Sequence, residues 1–490
     1  MKDGARTGEL TELVVGTRIP FGGSRWVEID ADIASRFRPG DRLIVIQEDG
    51  SLVHVPRSVA ATVDETVSRA RTAFEAMGFI EQDRVTHFFD HFAGLLANDE
   101  TFAPIAAANE ADVERARSSG RATGRLALSA RMRADMIEAL ELWREMAPSE
   151  AVTPIETVRH DKWSVDVLKA PLGVVGFVFE GRPNVFADAT GVLRGGNVAV
   201  MRIGSDALGT AKAIMEHALR PALVSAGLPV GCVELVEEAE RSAGHALFSD
   251  RRLALAVARG SGPAVAQLGA VARQSGIAVS LHGTGGAWML IDDGVSSERV
   301  RGCIEASLDR KVCNTVNVVV LIGRSSEIDE AITEGVSLAA RRLGVTARLH
   351  VVDRAIDVIP IESLDVVHED DSSILATEWE WDASPELSIV RVHDVDEAIA
   401  LFNAHSPRFI VSAIVESSDT EDRIYRGCDA PFVGDGFTRW VDGQYALRRP
   451  ELGLSNWESG RLFARGSILS GDGVHTVRYR AHTPDPTQRR

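Results

Sequence analysis

Short runs of alternating hydrophobic and polar positions fill the first sixty residues. Three such runs are RWVEID, DRLIVIQ and SLVHVP, and the dipeptide Asp49-Gly50 separates the last two. A period of two is typical of half-buried strands, and Asp-Gly is a common hairpin turn. The pattern predicts a small β-rich extension over residues 1–60.

From Val63 onward the hydrophobic positions follow the period of a helix. The clearest helix has its apolar residues at the i, i+3, i+4, i+7 spacing of one buried face, namely Val85, Phe88, Phe89, Phe92, Leu95 and Leu96. A second helix is predicted over about residues 130–146, with Ser129 as its N-cap.

The pattern changes again between residues 173 and 292. Apolar runs now alternate with helical stretches such as 207–226 and 262–275, and the runs are GVVGFVF, NVAVMR, CVELV, LALAVA, IAVSL and WMLID. Near-continuous apolar strands separated by helices indicate a parallel sheet covered on both faces. A second series runs from NTVNVVVLIG to FIVSAIVE. The predicted fold class is therefore α/β, with two doubly wound parallel-sheet domains.

Composition and charge narrow the class of protein. A net charge of −18 argues against a nucleic-acid partner, because such proteins present Lys and Arg to a polyanion. Four widely separated cysteines favour neither a disulfide scaffold nor structural zinc, and no metal site is predicted. We find neither a signal-peptide pattern nor an apolar run of about 18 residues, so we expect a cytoplasmic enzyme without a membrane partner.

Four glycine-containing polar segments follow predicted strands. They are EGRPN (180–184), IGSDA (203–207), RGSG (259–262) and HGTGG (282–286). Ligands of open parallel sheets gather at the carboxyl ends of strands, and backbone N–H groups there attract phosphates. Together the segments suggest a nucleotide site. Each alone is common in α/β proteins, and the strict GxGxxG pattern is missing.

Cys313 lies in a charged loop just before an apolar run. Arg310 and Lys311 precede it, and a cationic loop would stabilise a thiolate and make it nucleophilic. Cysteine is also among the most frequently buried residues and often acts as a small hydrophobe. The spacing leaves both interpretations open.

Several motifs together carry a family resemblance. They are APLGVVGFVFEGRPNV (170–185), LRGGNVAVMR (193–202), LPVGCVELV, ARGSG, VCN (312–314), TEW (377–379), FTRWVDG (437–443) and ARG (464–466). In order and spacing the chain resembles the γ-glutamyl phosphate reductases, also called glutamate-5-semialdehyde dehydrogenases, of the aldehyde dehydrogenase superfamily. The resemblance runs from about residue 62 to 480.

The resemblance implies a domain plan and a reaction. It implies an NAD(P)-binding domain over 61–280, a catalytic domain over 281–440, and a segment over 441–490 that returns to the cofactor domain and forms an oligomerisation arm. The tail after about residue 475 is polar and contains proline, so its end is expected to be disordered. A homodimer or homotetramer is expected. The family reduces an acyl phosphate to an aldehyde with NADPH.

The same resemblance assigns the catalytic residues. Cys313 would be the nucleophile that forms a thioester, and Asn184 the side-chain donor to the oxyanion. Hydrolytic aldehyde dehydrogenases keep a Glu base in the stretch that reads IAVSLHGTGG here, and this stretch has no carboxylate. Its absence fits an enzyme that must not hydrolyse its thioester.

Cofactor and substrate contacts are also implied by position. The expected cofactor residues are Arg202, Ser205, Arg259, Gly260, Ser261, Gly283 and Glu378. Arg202 would meet a 2′-phosphate, whereas Asp206 would sooner accept ribose hydroxyls and repel that phosphate. These residues leave NADP and NAD both open, and NADP is expected from the family reaction. The expected substrate contacts are Arg182, Asn314, Arg439, Arg448, Arg449 and Arg465, and each arginine could equally be a surface ion-pair partner.

Three departures from the family pattern leave the substrate open. Asp309 stands in SLDRKVC where the family commonly has Arg, VDGQYALRRPELGLS replaces a Gly-rich segment, and the extension over 1–60 faintly resembles that of long-chain acyl-CoA reductases. The first hypothesis is an acyl phosphate reductase whose small-molecule substrate comes from an upstream kinase. The second is a reductase of acyl-CoA or a carrier-bound acyl group through the same cysteine. The third is a non-catalytic scaffold.

Overall fold

The computed structural model describes residues 8–121, 123–124, 126–146, 154–353, 355–356, 363–455 and 468–489. These residues form two compact units. The first unit contains 8–283, 448–453 and 468–489, and the second contains 284–447 and 454–455. Within the described ranges, we find no helix that combines the length and the apolar character needed to cross a bilayer.

The amino-terminal extension consists of two hairpins and a short helix. The hairpins pair β1 (Arg18–Phe21) with β2 (Arg25–Glu28) and β3 (Arg42–Val45) with β4 (Leu52–Val55), and α1 (Ala31–Arg36) lies between them. Gly50 has a φ of +86°, and a Cβ at this position would lie 2.3 Å from Cζ of Phe21. The hairpin predicted at Asp49-Gly50 is confirmed.

Four helices follow the extension: α2 (Arg57–Met77), α3 (Gln82–Ala97), α4 (Asp99–Ser118) and α5 (Ala130–Glu145). The predicted face of α3 is buried, including all three phenylalanines, except that Leu95 is only half-buried. The Ser129 side chain accepts a hydrogen bond from the N–H of Met132, which confirms the predicted N-cap of α5. The first helix begins at Arg57, earlier than the predicted Val63.

The core of the first unit is a five-stranded parallel sheet. After β5 (Pro154–Arg159) and β6 (Ser164–Pro171), the chain forms β7 (Val174–Phe179), α6 (Val185–Ala189), β8 (Val198–Ile203), α7 (Leu208–Ile214), α8 (Arg220–Ser225), β9 (Val233–Leu235), α9 (Ser242–Phe248), β10 (Leu253–Arg259), α10 (Gly262–Gln274) and β11 (Ala278–His282). The strand order is β11-β10-β7-β8-β9. Every residue of β7 and β8 is buried, which explains their continuous apolar sequences.

The second unit contains a seven-stranded parallel sheet. Its elements are β12 (Ala287–Asp292), α11 (Ser297–Ala306), β13 (Val316–Ile322), α12 (Ser326–Leu343), β14 (Ala347–Val352), β15 (Leu364–Glu369), β16 (Glu386–Val392), α13 (Val395–His405), β17 (Ile410–Ile414), α14 (Ser418–Gly427), β18 (Phe432–Gly434) and α15 (Gly443–Leu447). The order is β15-β14-β16-β13-β12-β17-β18. The predicted class, α/β with two parallel sheets, is confirmed.

Two details differ from the sequence predictions. The run WMLID forms β12, which pairs with β13 and β17 in the second sheet and not with the first sheet. After β19 (Gly453–Leu454) and β20 (Ile468–Leu469), β21 (His475–His482) pairs antiparallel with β6. The predicted disorder concerned the end of the tail that begins after about residue 475, whereas residues 475–482 form a strand that completes a three-stranded sheet with β5 and β6.

Candidate active site

Three of the predicted glycine loops leave the same edge of the first sheet. Residues 180–184, 203–207 and 259–262 follow β7, β8 and β10, which are neighbouring parallel strands. A Cβ on Gly204 would lie 3.0 Å from the backbone N of Gly181. A side chain at this glycine would thus crowd the neighbouring loop, so the two loops approach each other closely.

The Gly260 loop already holds a carboxylate. The N–H of Ser261 donates to Oε1 of Glu180 at 2.7 Å, and a Cβ on Gly260 would lie 2.6 Å from Cδ of the same side chain. This amide opens α10, where unsatisfied N–H groups favour negative charge. The Glu180 carboxylate therefore satisfies the Ser261 amide in this structure.

Arg202, the predicted 2′-phosphate contact, lies beneath a loop. Its side chain donates to the carbonyls of Ala239 and Glu240 at 3.1 and 3.0 Å, and the residue is only 7% exposed. Its buried Nε has no hydrogen-bond partner among the described residues. Burial, together with the nearby charge of Arg241, lowers the pKa of Arg202. The guanidinium stabilises the loop that follows β9.

Asp206 is engaged by an arginine that the sequence did not suggest. Arg121 forms an ion pair with the Asp206 carboxylate. The adjacent Ser205, a predicted cofactor residue, is exposed. The pairing partly neutralises the carboxylate that was expected to repel a 2′-phosphate.

Arg259 lies between two carboxylates. Its guanidinium is 3.1 Å from Asp188 and 3.5 Å from Glu451, and its side chain is 17% exposed. Through Glu451, Arg259 helps to hold the segment 448–453 on the first unit.

Gly283, another predicted cofactor residue, is closely packed in the same unit. A Cβ at this position would lie 3.1 Å from Cα of Gly262.

The RPN motif lies at the start of α6. Asn184 precedes the helix, and its buried Oδ1 has no hydrogen-bond partner among the described residues. Arg182 is half-buried in the same loop. A buried amide oxygen without a partner costs free energy, so it marks a place where a polar contact is incomplete.

In the second unit, Cys313 occupies a turn that is fixed on both sides. Oγ1 of Thr315 accepts from the N–H of Val312 at 3.0 Å and donates to the carbonyl of Arg310 at 2.7 Å. The N–H of Gly286 donates to the Cys313 carbonyl at 2.8 Å. The turn leads directly into β13, so the cysteine is anchored to the sheet.

A buried ion pair lies against the cysteine backbone. Nζ of Lys311 is 2.7 Å from Oε1 of Glu378, with side-chain exposures of 4% and 17%. The other carboxylate oxygen accepts from the N–H of Gly285 at 2.8 Å. A Cβ on Gly285 would lie 2.6 Å from Cα of Cys313. Lys311 therefore compensates Glu378, which differs from the expected open cationic loop.

Asn317, which belongs to none of the predicted motifs, positions the TEW motif. Its Nδ2 donates to the carbonyl of Thr377 at 2.8 Å, and its Oδ1 accepts from the N–H of Trp379 at 2.9 Å. Both contacts flank Glu378. A lone amide in the apolar strand VNVVVLI was the available signal, because buried polar side chains need partners.

Asn314 and Arg439 contact each other. The Arg439 guanidinium binds Oδ1 of Asn314 and is 2.6 Å from Asp309, while Nδ2 of Asn314 donates to the carbonyl of Val441 at 2.7 Å. Asp309, an unexpected residue in the family pattern, is thus the partner of Arg439. Both predicted substrate contacts stabilise the segment next to Cys313.

Two of the remaining predicted arginines, Arg448 and Arg449, are described by the structure. Arg448 is exposed and has a φ of +52°, and Arg449 is 3.5 Å from the carboxylate of Asp472. Both belong to the first unit. Arg465 lies outside the described residues.

The other three cysteines have raised pKa values and low expected reactivity. Burial raises the pKa of Cys232 and of Cys428 to about 12, and it also raises the pKa of Cys303. Because thiolates are the reactive form, these three thiols are poor nucleophiles at neutral pH.

A family model matches more than half of the chain. The model of the aldehyde dehydrogenase family covers residues 46–351. The chain belongs to the aldehyde dehydrogenase family. The predicted superfamily and the class of aldehyde-forming oxidoreductase are confirmed, and family members use a nicotinamide cofactor and act on small acyl substrates or aldehydes.

Solved structures of this family resemble the chain over most of its length. The γ-glutamyl phosphate reductase of Thermotoga maritima is 25% identical, with a TM-score of 0.74 over 88% of this chain and 100% of that one. The acetylating aldehyde dehydrogenase of Geobacillus thermoglucosidasius is 14% identical, with a TM-score of 0.61 over 88% and 99%. The propionaldehyde dehydrogenase of Rhodopseudomonas palustris with bound propionyl-CoA is 15% identical, with a TM-score of 0.60 over 86% and 94%. The resemblance to γ-glutamyl phosphate reductases is confirmed.

The residues of the first unit fit the family's nicotinamide cofactor. Closely approaching glycine loops leave the carboxyl edge of its sheet, and the Ser261 amide already binds a carboxylate. A dinucleotide presents phosphates to such groups.

Proposed function

We propose that this aldehyde dehydrogenase family member reduces an acyl phosphate to an aldehyde through a thioester on Cys313, with NADPH as reductant. The observation that carries the proposal is the fixed Cys313 turn, together with the missing carboxylate in residues 277–286. The likeness to a γ-glutamyl phosphate reductase over nearly the whole chain supports the acyl phosphate as substrate.

The first chemical step forms the thioester. The Cys313 thiolate attacks the acyl carbon, the bond from that carbon to the phosphate oxygen breaks, and phosphate leaves and takes up a proton from solvent. Asn184 is proposed to donate its side-chain N–H to the developing oxyanion, a contact worth about 3 kcal/mol in other enzymes. A thiolate suits both steps, because it attacks well and later leaves well.

The second step returns the cysteine to its starting state. The nicotinamide cofactor, when bound, supplies a hydride to the thioester carbonyl. The resulting tetrahedral oxyanion collapses, the C–S bond breaks, and the aldehyde leaves while Cys313 regains its thiolate. Water would divert the thioester to free acid, and residues 277–286 offer no carboxylate base to activate it.

Contacts in each unit support the proposed cofactor residues. Glu378, proposed to face the nicotinamide ribose, is fixed by Lys311 and Gly285. In the first unit, Gly260 and Ser261 are proposed to approach the cofactor phosphates. NADPH is proposed from the likeness to the γ-glutamyl phosphate reductases, and the Arg121–Asp206 pair is compatible with it because it weakens the repulsion of a 2′-phosphate.

The proposed setting follows from the same likeness. We expect a cytoplasmic homodimer or homotetramer that receives its acyl phosphate from a kinase. Light scattering coupled to size-exclusion chromatography measures the subunit number, and a monomer at micromolar concentration would contradict this part.

A two-substrate, two-cofactor assay tests the reaction. NADPH and NADH absorbance is followed with an acyl phosphate that a kinase generates in the cuvette, and separately with acyl-CoA or a loaded carrier protein. We expect NADPH oxidation with the acyl phosphate, with one phosphate and one aldehyde formed per NADPH. Turnover confined to the thioester substrates would overturn the proposal in favour of an acyl-thioester reductase.

A further inference from the structure

A pocket of about 600 Å³ lies where the amino-terminal extension meets the parallel-sheet body of the first unit. The extension lines it with Arg36, His54 and Pro56, and the loop after β9 lines it with Glu240, Arg241 and Ser242. This volume is within the range of about 300–1,000 Å³ that is usual for small-molecule sites. The family model begins at residue 46, so the match does not include Arg36.

The extension is fixed to the body at this place. The Asp41 carboxylate accepts from His54 at 2.7 Å and from the N–H of Arg57, the first residue of α2, at 2.8 Å. Gln274, at the end of α10, donates to the carbonyl of Val45 at 3.0 Å. One wall of the pocket is therefore tied both to a helix and to the covering layer of the sheet.

The opposite wall is supported from below by Arg202. Its guanidinium holds the carbonyls of Ala239 and Glu240, so the loop presents the next residue, Arg241, at the surface. The Ser242 hydroxyl donates to the Glu240 carboxylate at 3.2 Å, so this carboxylate already has a hydrogen-bond partner within its own loop. Arg241 forms no ion pair among the described residues, and the Glu240 carboxylate lines the same pocket.

Arg36 is able to exchange its partner. It pairs with Asp32 one turn away at 2.5 Å, and both side chains are more than half exposed. Exposed pairs of this kind contribute little to stability. A more highly charged anion in the pocket would compete for the Arg36 guanidinium.

The position of the pocket indicates the kind of anion. The Arg241 loop follows β9, the edge strand next to β8, and leaves the sheet at its carboxyl end, where nucleotides bind in this fold class. Two guanidinium groups line the pocket, and guanidinium is well matched to phosphate. The Glu240 carboxylate in the lining and the Asp32 partner of Arg36 are the negative charges with which such an anion would compete. Arg202 was the residue expected to meet such a phosphate, and it is buried beneath Arg241 instead.

We propose that this pocket binds the phosphomonoester on the ribose of an adenine nucleotide, with Arg36 and Arg241 as its cationic contacts. The proposal deepens the proposed function and rests on it in taking that nucleotide to be a substrate or cofactor of the reaction. Such a phosphomonoester is the 2′-phosphate of NADP or the 3′-phosphate of coenzyme A. The extension thus contributes to nucleotide recognition.

Calorimetric titration of the full-length protein, without acyl substrate, tests the proposal. The probes are 2′,5′-ADP, 3′,5′-ADP and 5′-AMP. We expect one of the two bisphosphates to bind at least about tenfold more tightly than 5′-AMP, as one charge-assisted contact predicts. Preference for the 2′-phosphate identifies NADP as the source, and preference for the 3′-phosphate identifies coenzyme A.

Variants assign the contacts. Arg36→Gln and Arg241→Gln should each weaken the preferred bisphosphate by about tenfold and leave 5′-AMP unchanged, while Arg241→Lys should restore part of the affinity. Arg18→Gln is the matched control, because Arg18 is an exposed arginine of the same extension that pairs with Glu28. Circular dichroism and the unchanged 5′-AMP affinity report folding.

Three results would overturn the proposal: equal affinity for all three probes, an equal loss in Arg18→Gln, or an unchanged bisphosphate affinity in both pocket variants. The titration needs no turnover. If the acyl phosphate assay fails while the bisphosphate discrimination holds, the proposed reaction is wrong and the pocket assignment stands.

Discussion

The loops of the first unit and the cysteine segment of the second use their charged residues differently. In the first unit, Arg202 and Arg259 stabilise backbone carbonyls and carboxylates of their own unit. In the second, the buried Lys311–Glu378 pair lies against the Cys313 backbone. A family motif is thus enough to locate the cysteine segment, but the role of each charged side chain depends on the residue with which it is paired.

The largest expected effect separates the reactive cysteine from the others. Cys313→Ala should lower turnover of the acyl phosphate by at least about 10⁴-fold, because the covalent route is lost. Steady-state NADPH oxidation measures it. Cys303→Ala is the matched control from the same unit and should retain activity. Comparable loss in both variants would remove the distinction between the cysteines.

The next prediction concerns the buried ion pair. Lys311→Met should destabilise the protein by about 3 kcal/mol, because it leaves the Glu378 carboxylate buried without its cation. Urea unfolding followed by tryptophan fluorescence measures the change. Arg301→Met, which breaks the exposed pair with Glu334, should cost at most about 1 kcal/mol. Equal losses would show that the Lys311 pair is no more than a surface contact.

Gly285 tests whether the cysteine backbone must stay where it is. Gly285→Ala should lower kcat by about 100-fold, because the new Cβ would lie 2.6 Å from Cα of Cys313 and displace it. Gly294→Ala, with no atom within 4 Å of its added Cβ, should keep the wild-type kcat. A Gly285→Ala enzyme with unchanged kcat would mean that the turn tolerates movement.

The smallest effect is a difference in labelling. Because burial raises the pKa of Cys232 and Cys428 to about 12, very little of either thiol is ionised at pH 8, so iodoacetamide should label Cys313 before these two. Peptide mass spectrometry locates the label. Early labelling of either buried thiol in the folded protein would contradict the assignment.

The raised pKa values of Cys232 and Cys428 predict how the stability of the fold changes with pH. Both thiols stay protonated more readily in the folded protein than in the unfolded one, whose pKa is about 8.5. Their contribution to stability is therefore complete below about pH 8.5 and is lost as the pH rises toward 12.

The sequence predicted the parts of the fold that depend on local pattern. The apolar face of α3, the Ser129 cap and the turn at Gly50 follow from spacing and residue type. Membership of β12 in the second sheet and the pairing of β21 with β6 depend on contacts distant in the chain. An apolar run does not encode its neighbour, and a polar strand such as β21 carries no hydrophobic signal.

The candidate site shows the same limit. The family motifs predicted roles for Cys313, Glu378 and Asn184, but they did not predict the buried Lys311–Glu378 ion pair, which joins residues 67 positions apart. Asn317 was overlooked because its neighbours are all apolar, although its amide fixes both flanks of Glu378. Long-range hydrogen bonds of this kind become visible only in the folded chain.

The most direct test of the proposed thioester mechanism is to trap the acyl-enzyme. The protein is mixed with an acyl phosphate in the absence of nicotinamide cofactor, and its intact mass and peptides are measured. We predict one added acyl group on Cys313, removed by hydroxylamine and discharged as aldehyde when NADPH is added. An acyl group on another residue, or an unmodified Cys313 while phosphate is released, would contradict the thioester mechanism.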